Sequence, residues 1–293
     1  MKYIIAILIS IGLLCLACGS GNQDAKKNNP AVDDSSLVEG IHFKYTIQVD
    51  NIPLVGPQSE KIDLYLTSGL TRSDGMVEVS VADEIKKIYR SSIINFEDYR
   101  RTTLNHEDST YLTEFYNVNG QKEDNPDSLA ADLPKLNKVS ITRTDQLEDM
   151  AGFGSCRKWT VRTSRAKNIR ADSIPALSGS LWIREDDIGR QYVGEYYQVL
   201  SKCFHDPDFN GLELWRVLRK LDIRSENLSD ILSKIDGVIV KAELVCERYS
   251  LGRKVRITVS VNLSDMLEQK LVRGIFTVPE GYEAELVKDQ VHQ

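Results

Sequence analysis

The three cysteines in the body of the chain, Cys156, Cys203 and Cys246, form no Cys-x-x-Cys pair, and Gly-x-Ser-x-Gly, His-Glu-x-x-His and the phosphate-binding glycine loop are absent from the 293 residues. These absences remove the short signatures of zinc and dithiol sites, of a serine nucleophile on a strand-to-helix turn, of zinc peptidases and of P-loop enzymes. Histidine is scarce. His42, His106, His205 and His292 are scattered, and each reads as solvated or structurally paired. No two carboxylates are spaced as a general acid and base. There is no long basic run and the net charge is −6, a balance that disfavours nucleic acid and anionic membrane surfaces as partners. The apolar stretch Tyr3 to Leu16 is shorter than the about 20 residues of a membrane-spanning helix. Neither an enzyme, a metal nor a cofactor is expected from what remains.

What is present begins with an address. Met1-Lys2 supplies a positive charge, Tyr3 to Leu16 an apolar core, and Ala17 a small residue before Cys18 and a polar run. That pattern predicts a secretory signal over residues 1–17. Leu16-Ala17-Cys18 resembles a bacterial lipobox, although Cys15 stands where that box has leucine. The resemblance implies a diacylglycerol thioether on Cys18, with acyl chains such as palmitate, and a mature protein that starts there. One acyl chain holds a protein only marginally to a bilayer, at about 0.8 kcal/mol per buried methylene, whereas two or more hold it firmly. Residues 18–38, rich in Gly, Ser, Asn, Asp and Lys, read as a flexible tether.

Residues 39–293 are expected to form one domain, since 41% hydrophobic and 27% charged residues suffice for one large core. Period-2 alternation predicts strands at Ile41 to Val49, Lys61 to Thr67, Val77 to Val81, Thr102 to Asn105, Thr110 to Tyr116, Lys138 to Arg143, Cys156 to Thr163 and Ser180 to Glu185. Ser92 to Phe96 is a short apolar run, and Ala82 to Tyr89 is open between helix and strand. Gly237 to Tyr282 carries the strongest pattern, a long antiparallel hairpin turning at Ser250-Leu251-Gly252, with a third piece from Leu271 to Val278. Residues 193–235 change period. Val193, Tyr196, Tyr197, Leu200 and Phe204, then Leu214, Trp215, Leu218 and Leu221, then Leu228, Ile231, Leu232 and Ile235 predict three helices, with Gly237 as the stop.

Met150-Ala151-Gly152-Phe153-Gly154-Ser155-Cys156-Arg157-Lys158-Trp159 resembles the I-A-G-Y-x-C-x-K stretch of a family of bacterial envelope lipoproteins of unknown function. Ser180-Leu181-Trp182-Ile183-Arg184 resembles that family's Trp-containing strand. Ser92 to Phe96 through Thr110-Tyr111-Leu112 is similar to its strand–turn–strand, and Gly274 to Tyr282 to its closing pattern. The family looks related in fold to the LolA/LolB carriers. The resemblance therefore implies an α+β fold: a curved antiparallel half-barrel with the helical insertion covering its concave face, held in the envelope at the outer membrane. It carries no catalytic residues.

Tyr196, Tyr197, Leu200, Trp215 and Leu218 fit core packing first, and as a second reading the lining of a cavity for an apolar or lipidic ligand. The functional expectations are a non-enzymatic anchored lipoprotein that binds such a ligand, or a lipid-tethered subunit that docks on an envelope protein. Asp206-Pro207-Asp208-Phe209-Asn210-Gly211 begins like a calcium loop, but Val217 stands where the bidentate Glu belongs, so it reads as a turn. Gly152-Phe153-Gly154 lacks the third glycine and the helix of a dinucleotide site. Asp127-Ser128-Leu129 and Asp172-Ser173-Ile174 resemble O-glycosylation tripeptides. The pairing of Cys156, Cys203 and Cys246 and the oligomeric state are open.

Overall fold

Alternating side chains run through most of the body, and in the computed structural model the alternating runs are strands of one sheet. The structure describes residues 36–52, 57–81, 84–115, 138–164, 176–186, 190–194, 196, 235–250 and 253–285. The chain divides into two compact units, Met1–Val32 and Asp33–Gln293, and all described residues belong to the second. The predicted signal, Cys18, Cys203, Ser128 and Ser173 lie outside the described residues.

The first six strands are β1 (Leu37–Asp50), β2 (Gln58–Leu66), β3 (Leu70–Val81), β4 (Glu84–Asn95), β5 (Arg100–Asn105) and β6 (Thr110–Phe115). The next six are β7 (Lys138–Met150), β8 (Gly154–Ser164), β9 (Ala176–Arg184), β10 (Val238–Ser250), β11 (Arg253–Val272) and β12 (Glu283–Ala284). Their order across the open sheet is β12-β6-β5-β4-β3-β2-β1-β11-β10-β9-β8-β7. Two antiparallel meanders, β1 to β6 and β7 to β11, are joined where β1 pairs antiparallel with β11, from Leu37 opposite Val272 to Asp50 opposite Thr258. An extra residue in β11 at this seam, Ser264, donates its hydroxyl to the Lys44 carbonyl at 3.0 Å. Only β12 runs parallel to its neighbour, β6.

The main core lies on the face set by the alternation. Ile41, Phe43, Tyr45, Ile47 and Val49 of β1 meet Ile62, Leu64 and Leu66 of β2 and Ile257, Val259, Val261 and Leu263 of β11. Leu177, Leu181 and Ile183 of β9 and Ala242, Leu244 and Cys246 of β10 extend it. Full burial of each such aliphatic side chain contributes about 1.5–3 kcal/mol. A second, smaller cluster holds Ile93, Leu104, Leu271 and Phe276. It is covered by residues 273–285, which leave β11 through a short 3₁₀ turn, Arg273–Phe276, and run to the edge of β6.

The expected α+β half-barrel with a helical cover is therefore corrected. The described residues are almost entirely strand, in a single open twelve-stranded sheet. Of the expected helical segment 193–235, residues 193 and 194 close a single π turn, Arg190–Gly194, and residues 197–234 lie outside the described residues. Two smaller expectations also change. Leu271 to Val278 is not a strand but the end of β11 followed by the 3₁₀ turn, and Ala82 to Tyr89 falls largely in β4. Ile85, Ile88 and Tyr89 are spaced as on a helix, but pairing along β3 from Leu70 to Val81 overrides that spacing.

Candidate functional site

Pairing of β8 with β9 brings the two tryptophan-containing stretches together, with Lys158 opposite Trp182 and Arg157 opposite Ile183. At this end of the sheet the carboxylate of Glu185 accepts four hydrogen bonds. Arg143 donates two, from Nε at 3.0 Å and Nη2 at 2.7 Å, Arg157 Nε one at 2.9 Å, and Trp159 Nε1 one at 3.2 Å. The bonds from Arg143, chiefly, and those from Arg157 and Trp159 pull the Glu185 carboxyl down to about 2, against the opposing effect of its burial. A bulge in β7 between Arg143 and Leu147 makes room for this: the Thr144 carbonyl accepts from Arg157 Nη1 at 3.3 Å, and the Thr144 hydroxyl donates to the Lys158 carbonyl at 2.6 Å.

Beside Glu185 opens a cavity of about 380 Å³, lined by Leu147, Phe153, Gly154, Ser155, Arg157, Arg184, Glu185 and Asp186. Arg157 is paired with Glu185 and Arg184 with Asp186, so each cation on the wall is matched by an acid. Such a wall suits a polar group or a partner's side chain better than an acyl chain. Behind it Cys156 is fully buried, its free thiol pushed up to about 11, first by burial and then by Asp149 and Asp186, with Arg184 opposing. The Trp182 indole N–H donates to Glu148 at 2.7 Å, and Lys158 and Lys241 sit 5.2 and 4.8 Å over its ring.

A second constellation ties residues 273–285 to the first meander. Arg72 Nε donates to both Asp74 oxygens at 2.9 Å, and its Nη1 to the Ile275 carbonyl at 2.7 Å. Ser91 Oγ donates to Asp74 Oδ1 at 2.5 Å and lies 2.6 Å from His106 Nε2, while His106 Nδ1 lies 2.6 Å from the Tyr282 hydroxyl. A serine hydroxyl has one hydrogen, and an ionised carboxylate only accepts. With that hydrogen on the bond to Asp74, His106 Nε2 must donate to Ser91. The neutral ring then accepts from Tyr282 at Nδ1. Ser91 and His106 stand as close as a nucleophile and its base, but the serine proton is directed at Asp74 and Ser91 is 2% exposed.

Of the expected cavity-lining residues only Tyr196 is described. It is 4% exposed, part of the main core, and edge-on to Phe96 at 5.9 Å. Tyr197, Leu200, Trp215 and Leu218, like the Asp206 to Gly211 loop, lie outside the described residues. The Glu185 cluster and the Ser91–His106 contact were not foreseen. The only hint in the sequence was that the stretches resembling the lipoprotein family contain Phe153, Arg157, Trp159, Trp182 and Tyr282.

No family model matches the chain. No curated protein matches it either. Among solved structures it is similar to a porin-like protein from Bacteroides uniformis ATCC 8492, at 11% identity over 78% of this chain and 96% of that one, with a TM-score of 0.22. A superposition that poor informs neither the fold nor the role.

Proposed function

We propose that the protein is a lipid-anchored, non-enzymatic protein of the cell envelope that works as an interaction subunit. The observation that carries the choice is the state of the sheet's apolar face. From β1 and β2 through β11, β10 and β9 it is filled by its own side chains, and Tyr196 is packed into that filling. The cavity beside Glu185, with volume for a small group, has a wall of matched ion pairs. Together these favour docking over storage of an acyl chain. The direction of the Ser91 proton supports a non-enzymatic role, and Leu16-Ala17-Cys18 supports the anchor.

The test has two arms. Cells fed an alkyne fatty acid should label the wild-type chain, and Cys18→Ser should lose both the label and the membrane fraction. A Cys18→Ser chain that is still cleaved and membrane-bound would sink the anchor. Solvent extraction of the purified protein should yield no stoichiometric lipid beyond the anchor, and gentle solubilisation should retain a partner in a defined ratio. One equivalent of extracted lipid with no retained partner would overturn the interaction reading in favour of a lipidic ligand.

A further inference from the structure

The sheet has a notch. β4 continues from Arg90 back to Glu84 past the end of β5, which pairs with β4 only from Arg90, opposite Asn105, to Asn95, opposite Arg100. Over Glu84 to Tyr89 its neighbour among the described residues is β3 alone. All six side chains from Ile85 to Arg90 are exposed, Ile85 at 71% and Tyr89 at 55%. Lys87 lies 3.6 Å from Glu78, whereas Lys86 and Arg90 have no partner among the described residues.

A free edge is a template for another strand, and lysines there usually guard against pairing. Guarding accounts for Lys86 and Lys87 but not for an isoleucine and a tyrosine held in water beside them. The lysines also discriminate between partners. Two copies pairing antiparallel about a two-fold axis must meet in a register centred on one residue. Centred on Ile85, only Glu84 to Lys86 can pair before the strand ends, and centred on Lys86 or Lys87, that lysine faces its own copy. Centred farther along, the partner's tip runs into the place Asn105 already fills beside Arg90. Like charges directly opposite are destabilising, whereas opposite charges and aromatic–aliphatic pairs across strands stabilise.

We propose that this notch is a docking edge for an extended acidic segment of a partner protein, about six residues long, alternating carboxylates with apolar side chains and lying in line with β5. Its backbone completes the ladder along Glu84 to Tyr89, its acids lie on the face of Lys86 and Arg90, and its apolar residues lie on the other face, against Ile85 and Tyr89. The proposal rests on the reading of the protein as an interaction subunit and names the partner chemistry for one surface.

The test uses the full-length chain in detergent and two labelled eight-residue peptides with blocked ends, one alternating valine with glutamate and the other valine with lysine. Fluorescence anisotropy should show the glutamate peptide binding, and amide exchange over residues 84–89 should slow in its presence. The double change Lys86→Glu with Arg90→Glu should weaken it about tenfold, from a few-fold per cross-strand pair lost, and should admit the lysine peptide. Tyr89→Ser should weaken both. Equal binding of the two peptides, failure of the glutamate peptide to bind, or concentration-dependent self-association through this strand would each overturn the proposal. None of these outcomes alters the lipid-extraction or anchor result, so a failed notch and a failed interaction reading are told apart.

Discussion

Glu185 is the residue where charge and fold are most tightly linked. Its carboxyl ionises at about 2 in the folded protein against an ordinary 4.5, because Arg143, Arg157 and Trp159 donate to the charged form. A depressed acid stabilises the fold above its ordinary value, and that contribution fades as pH falls from about 4.5 towards 2. Glu185→Gln should therefore lower the thermal midpoint clearly at pH 7, where it leaves Arg157 without its counter-charge. The difference from wild type should shrink through that acid window and vanish near pH 2. A gap that stays constant with pH would show that packing, not charge, holds the cluster.

At the scale of elements, β9 and β10 fit together because Gly179 has no side chain. A Cβ there would run into the Glu243 carbonyl oxygen and the Leu244 backbone of β10. Gly179→Ala should therefore cost about 1–3 kcal/mol by overpacking, read as a lower denaturant midpoint with the unfolding slope unchanged. Strands of this kind were legible in the sequence where one face is buried and the other wet, as in Phe43, Tyr45 and Ile47 or Ile257, Val259 and Val261. β4 was not, because residues 85–90 are exposed on both faces and so carry no alternation to read. The Ser91–His106–Tyr282 contact was illegible for another reason. Its members lie 15 and 176 residues apart, and only the return of the chain along residues 273–285 brings the tyrosine to the turn after β5. Two short loops flank β5, at 96–99 and 106–109. They share a construction, since Asn95 and Asn105 each accept the amide two residues on, from Glu97 and Glu107, and Tyr99 and Ser109 close them with positive φ.

At the scale of the whole molecule the two apolar clusters are unequal. The larger spans both meanders, whereas the smaller joins β4 and β5 to the end of β11 and is sealed by the return of the chain. Tyr282→Phe removes one hydrogen bond from that seal, a loss of about 1 kcal/mol. Hydrogen exchange should quicken in β4, β5 and β6 while β8, β9 and β10 keep their protection. A uniform increase in all strands would show instead that the sheet opens as a single cooperative unit.

The seam between the meanders has a consequence for biosynthesis. Leu37 faces Val272 and Asp50 faces Thr258, so β1 finds its neighbour on one side only when β11, more than two hundred residues later, has been made. Closing so distant a pair is slow compared with forming local hairpins. A nascent chain of this design remains unfinished for most of its translation, and Phe43, Tyr45 and Ile47 are then the natural grip for a holding chaperone.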